Sequence, residues 1–202
     1  MNLVDSTSDI ESLTKLFDEN RDKYTEQLKN CLQIAEKIQV VSQRIILIDA
    51  ATQTLHLFQD KARTVSYFIS TANKGLGEVD GSSQTPSGLH IIKDKIGDNA
   101  PLTTVFQSRE PRPDVPFNPN GETTQITSRI LRLNGLEEGV NKGVNQQGQS
   151  VDSYTRYIYI HGTNQINDVG QAKSAGCIRM MPKDVADLYS RVDEKTLVYI
   201  FA

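Results

Sequence analysis

The sequence predicts a mainly β fold, a β-sandwich or barrel with one or two short helices, preceded by an amphipathic helix. Three observations predict it. From Arg44 onward, short segments rich in β-branched and aromatic residues recur. Only one segment among them has the pattern of a helix. Strands and helices do not alternate, so a wound parallel sheet is not expected.

Ile10, Leu13, Phe17, Tyr24, Leu28, Cys31, Leu32, Ala35 and Ile38 recur at helical spacing. They mark one apolar face of a helix over residues 8–39. Ser8-Asp9 is its expected cap, with Glu11 near the positive end of the dipole. Residues 1–42 therefore read as a helical extension packed on a domain at 43–202. A dimerisation arm is the alternative, and the acidic polar face argues against a membrane surface.

The expected strands are RIILIDA, TLHLFQ, RTVSYFIS, LHIIKDKI, TQITSRILRL, RYIYIH and TLVYIFA. The segment PKDVADLYSRV is the helix, with Pro182 in its first turn. Residues 97–123 carry Pro101, Pro111, Pro113, Pro116 and Pro119, which forbid a central strand. Residues 134–153 are rich in Gly, Asn and Gln. Loops this long in a compact domain serve as lids or binding walls.

A chain of 202 residues can bury a sizeable core without staples. The net charge of −3 offers no field for nucleic acid. Two cysteines far apart do not form a disulfide framework. Cys31, within the helical pattern, reads as a small buried hydrophobe. No signal peptide or continuous apolar span is visible, so the sequence as it stands points to the cytoplasm. A trimmed signal or another export route would place it in the periplasm. No His/Cys/Asp cluster has zinc-ligand spacing, so neither a metal nor another cofactor is expected.

The stretch HGTNQINDVGQAKSAGCIRM, from His161 to Met180, concentrates the chemistry. His161 and Cys177 each stand beside a glycine. A thiolate is a strong nucleophile, and an imidazole can take its proton. Gly176 leaves room for a substrate carbonyl to approach backbone N–H groups. In RYIYIH, Tyr157, Tyr159 and His161 share one face, and Ile158 and Ile160 share the other. Gly162-Thr163 ends that strand, which puts His161 at its rim as a general base or as a capped structural histidine. Cys177 is a nucleophile or an inert buried thiol. Arg179 is a carboxylate clamp or a surface ion pair.

These residues resemble the L,D-transpeptidase catalytic domain, also called the YkuD domain. That family has His-Gly, about sixteen positions, then Ser/Thr-x-Gly-Cys-Ile/Val-Arg. This chain has His161-Gly162 and Ser174-Ala175-Gly176-Cys177-Ile178-Arg179. A second signature, Thr-Pro-x-Gly-x-aromatic-x-Ile, is matched by Thr85-Pro86-Ser87-Gly88-Leu89-His90-Ile91-Ile92. The resemblance covers residues 43–201.

The resemblance implies Cys177 as nucleophile, His161 as base and the Gly162 carbonyl as the group that orients the imidazole. It implies an oxyanion site at Gly176 and Cys177. Arg179, Ser174, Tyr159, Thr163 and His90 are the expected substrate contacts, Ser174 also bracing the loop. The implied substrates are peptidoglycan stem peptides or muropeptides. Their acyl group would pass to an amine, or to water in an L,D-carboxypeptidase. The segment SRILRLNGLEEGVN with RYIYIHGT resembles short, signal-less members associated with trimming recycled tetrapeptides. A non-catalytic wall-binding module is the remaining class. Ala175 replaces a frequent histidine, and Met181-Pro182 replaces a polar pair, which leaves the acceptor open.

Overall fold

A computed structural model describes residues 6–202. Two helices come first, α1 (Ser6–Glu19) and α2 (Arg21–Lys37). The single helix expected over 8–39 is therefore broken. At the break the Asn20 amide donates to the Leu16 carbonyl at 2.9 Å, a side-chain bond that competes with the helix ladder. The bend brings Phe17 and Tyr24 to the same surface, where their rings stack at 5.1 Å. Ser8 and Asp9 lie inside α1 instead of capping it. Ile10, assigned to the apolar face, is 63% exposed.

The strands are β1 (Arg44–Asp49), β2 (Thr54–Gln59), β3 (Ala62–Phe68), β4 (Gly88–Ile96), β5 (Val105–Gln107) and β6 (Glu110–Pro111). They continue as β7 (Ile126–Gly135), β8 (Tyr159–Thr163), β9 (Ile178–Met180) and β10 (Leu197–Phe201), with α3 (Pro182–Arg191) between the last two. One mixed sheet runs β3-β2-β1-β10-β4-β7-β5-β6, and β8 branches from β7 to pair with β9. The β1–β10 and β8–β9 pairs are parallel. β7 is the corner strand. Its register slips between Thr127 and Ile130, with Ser128 in the left-handed region at φ 56°, as in a bulge that bends a strand.

Period two divides β1 between two cores. Ile45 and Leu47 meet Phe17, Tyr24, Leu28, Cys31 and Ala35 of the helices. Ile46 and Ile48 enter the main core, with Ile158, Ile160, Ile178, Met180 and the apolar face of α3. The N-terminal helices thus seal one face of the sheet, while β8, β9 and α3 cover the other.

The two long loops differ from a simple lid. Residues 97–123 include the short β5–β6 hairpin, which extends the sheet edge through β5–β7 pairing. The segment after β7 is pinned by Asn141, which is fully buried and donates to the Ser87 and Leu89 carbonyls. Among the described residues no helix is long and apolar enough to cross a membrane.

Candidate active site

His161 lies in the middle of β8, not at its rim, because the strand starts at Tyr159 and continues to Thr163. Its Cα partners are Ile130 on β7 and Arg179 on β9. Tyr159, His161 and Arg179 therefore share one sheet face, and Cys177, two positions before Arg179, sits at its near end. Gly162 is demanded by packing: an added Cβ would lie 2.5 Å from Ser128 Oγ and 2.6 Å from the Thr127 carbonyl.

The His161 Nδ1–H donates to the Gly162 carbonyl at 2.8 Å. A carbonyl only accepts, so the proton belongs on Nδ1 and the Nε2 lone pair is left as the basic site. Burial, and secondly the Arg179 charge, push the imidazole down to about 4, outweighing the Gly162 bond. It is therefore neutral near pH 7.

Cys177 is half-buried and precedes β9. Its thiol donates to the Tyr157 carbonyl at 3.5 Å and packs against Phe106, Ile130 and Tyr159. Burial raises its pKa, while Arg179 and Arg156 act in the opposite direction. Burial thus favours the neutral form of both groups.

The loop that carries Cys177 is braced from both sides. Ser174 Oγ donates to the Cys177 carbonyl at 2.6 Å and accepts the Gly176 N–H at 3.2 Å. Thr85 Oγ1 donates to the Gly176 carbonyl at 2.8 Å and accepts the Ala72 N–H at 3.0 Å. Thr85 is the first residue of the second motif, so that motif meets the first through one hydroxyl. Gly176 holds φ 139°, a conformation open to glycine.

Arg179 is largely buried, with Asp168 3.7 Å away. That distance is a loose ion pair, not a surface bridge. Arg156, which sequence reasoning treated only as the start of a strand, sends its guanidinium to the Glu78 and Gln84 carbonyls at 2.6 and 2.8 Å. A charge partner for the sulfur thus comes from outside both motifs. Its only sequence signal is an arginine three residues before the histidine strand.

Three expected substrate contacts are placed differently. His90 is fully buried, with Nδ1 bonded to the Gly88 carbonyl at 3.0 Å and Nε2 to Ser153 Oγ at 2.9 Å. Both ring nitrogens are spent on the scaffold. Thr163 is fully buried, and its Oγ1 accepts the Gln165 N–H at 3.0 Å. Tyr159 is nearly buried, its hydroxyl accepting from Arg109 at 3.2 Å. Tyr157, expected on the same face as Tyr159, instead sits in a turn at φ 56° and is 52% exposed.

A family model described as the L,D-transpeptidase catalytic domain matches residues 43–200. The chain belongs to the L,D-transpeptidase catalytic domain family. No curated protein matches it. Among solved structures it is similar to an L,D-transpeptidase from Mycobacterium smegmatis, at 14% identity and TM-score 0.49, covering 79% of this chain and 59% of that one. L,D-transpeptidase 3 from Mycobacterium tuberculosis, in complex with a faropenem-derived adduct, gives 15% identity, TM-score 0.49 and coverage of 79% and 60%. An Enterococcus faecium L,D-transpeptidase mutant gives 16% identity, TM-score 0.47 and coverage of 80% and 50%. The chain thus spans about half to three-fifths of the length of these proteins. The N-terminal helices lie before the matched residues.

Proposed function

We propose that this L,D-transpeptidase-family chain is a cysteine acyltransferase acting on peptidoglycan stem tetrapeptides. The observation that carries the reading is the His161–Gly162 bond. It leaves Nε2 as a base on the face where Cys177 stands.

In the first step the Cys177 S–H proton passes to His161 Nε2 and the sulfur attacks the carbonyl of the third, L-centred residue. Arg179 and Arg156 favour the thiolate as it forms. The Gly176 N–H is already engaged by Ser174, so the Cys177 N–H takes the main share of the oxyanion. The imidazolium then protonates the departing amine, the C–N bond breaks and terminal D-alanine leaves. A thioester remains on Cys177. Arg179 holds the carboxylate of the departing residue, exchanging Asp168 for it.

In the second step an acceptor amine attacks the thioester, gives its proton to His161 and expels the thiolate, which takes that proton back from the imidazolium and restores the starting thiol. The product is a cross-linked or exchanged peptide. Incubation of the protein with a disaccharide-tetrapeptide tests this by mass spectrometry. D-Alanine release with amine adducts or dimers is expected. Tripeptide alone makes water the acceptor and the chain an L,D-carboxypeptidase. Undiminished D-alanine release by Cys177→Ala refutes the cysteine mechanism.

A further inference from the structure

Arg109 occupies the turn of the β5–β6 hairpin. Its guanidinium donates to the Tyr159 hydroxyl at 3.2 Å and lies 5.3 Å from the centre of the Tyr157 ring. Tyr157 is the residue whose carbonyl accepts the Cys177 thiol, and Tyr159 belongs to the apolar cluster that Cys177 packs against. One layer of tyrosine therefore separates this cation from the nucleophile.

Among the described residues no carboxylate pairs with this guanidinium. Six of the ten arginines form ion pairs within the chain, Arg132 with Asp94 for example. Arg129 and Arg156 donate to backbone carbonyls, and Arg63 donates to Ser66. Arg109 makes one described hydrogen bond, to a neutral phenol, leaving most of its five N–H donors unspent. It lines a cavity of about 440 Å³ that Asp98 and Glu110 also line, yet neither acid pairs with it. The backbone adds a second observation. Ser108 and Arg109 hold φ 51° and 72°, where a tight hairpin prefers asparagine and glycine. An arginine kept there carries a conformational cost that its internal contacts do not explain.

Arg179 and Arg109 approach β8 from different elements, β9 and the β5–β6 hairpin. Arg179 pairs with His161, while Arg109 meets Tyr159, two residues earlier on β8. We propose that Arg109 is a specificity residue that reads a second carboxylate on the substrate. That carboxylate belongs to the side chain of the residue whose carbonyl Cys177 attacks, and Arg179 takes the one on the leaving residue. The substrate class is a peptide with a carboxylate on each side of the scissile amide. The assignment rests on the acyl-transfer reading above.

Two disaccharide-tetrapeptides that differ only in that side-chain carboxylate, free in one and amidated in the other, test it. D-Alanine release gives kcat and KM, and calorimetric titration of Cys177→Ala gives affinity without turnover. The free acid is expected to be preferred about 10- to 100-fold in kcat/KM, the range for a charge-assisted bond. Arg109→Gln should erase the preference by raising KM for the free acid, with kcat nearly unchanged. Arg109→Lys bears the same backbone cost and should keep part of it. Equal treatment of both peptides by the unaltered protein overturns the assignment, as does an equal loss on both in Arg109→Gln. If nothing is released but Cys177→Ala binds the free acid better, and Arg109→Gln in that background does not, the reaction reading falls and Arg109 stands.

Discussion

Cys31 with His56, and Cys177 with His161, contain the same two residue types in two regions of one fold. Around the first two, burial closes off the thiol and internal hydrogen bonds occupy both ring nitrogens. Cys31 is fully buried under α2, and burial, with Glu137 nearby, pushes its thiol up to about 12. His56, beneath Tyr24, bonds Thr54 Oγ1 through Nε2 and Ser66 Oγ through Nδ1. Around the second pair, valence is left over. His161 spends only Nδ1, and Cys177 is half-exposed with two arginines opposing its desolvation. Reactivity follows unspent lone pairs and neighbouring charge, not residue type.

The largest effect expected from breaking this contrast is on the rate. His161→Ala should lower D-alanine release by about 10²–10⁴-fold, the usual range for a positioned proton carrier. His56→Ala should leave the rate per folded molecule within about two-fold and act on stability, because its hydrogen bonds are internal to the sheet. Rates normalised to the folded fraction check both. A similar rate loss from the two variants would erase the distinction.

Acid sharpens the comparison. His56, His90 and His161 are each lowered to about 4, chiefly by burial. A histidine whose folded pKa is depressed contributes stability above its unfolded value of about 6.5, and that stability is lost as pH falls toward about 4. Asp184, raised to about 6 by burial, works the other way between about 6 and its ordinary value. These four groups together take up about two protons on unfolding near pH 5, about 3 kcal/mol per pH unit. Denaturant titrations from pH 7 to 4 should show that slope. The acid limb of kcat/KM should lie well below 6.5, because the His161 base stays unprotonated until about 4.

Smaller effects should follow from Thr85→Val and Cys31→Ala. Thr85→Val leaves the Ala72 N–H and Gly176 carbonyl without their hydroxyl, at about 1–3 kcal/mol each if nothing replaces it. It should slow release by loosening the nucleophile loop. Cys31→Ala should cost about 1 kcal/mol and leave the rate alone. Alkylation gives an independent reading: Cys177 should react in the native protein and Cys31 only on unfolding, which mass spectrometry resolves by peptide.

Much of this was legible in the chain. Seven strands and α3 fall where alternation and β-branched runs place them, because a sheet with a buried face demands period two. β9 was missed because Ile178-Arg179-Met180 is too short to show a period. Tyr157 was misplaced because a single left-handed residue ends the strand pattern, and nothing in RYIYIH signals it. His90 matched its motif position yet faces the scaffold, since a motif records a register and not which nitrogens are already bonded.

The sequence alone determined most of the elements and the two motifs, because spacing and residue chemistry are local properties. Tertiary structure decided which histidine kept a free nitrogen, which arginine charges act on the sulfur and how Thr85 meets Gly176 from 91 residues away. Burial and charge proximity depend on segments far apart in the chain, and only packing brings them together.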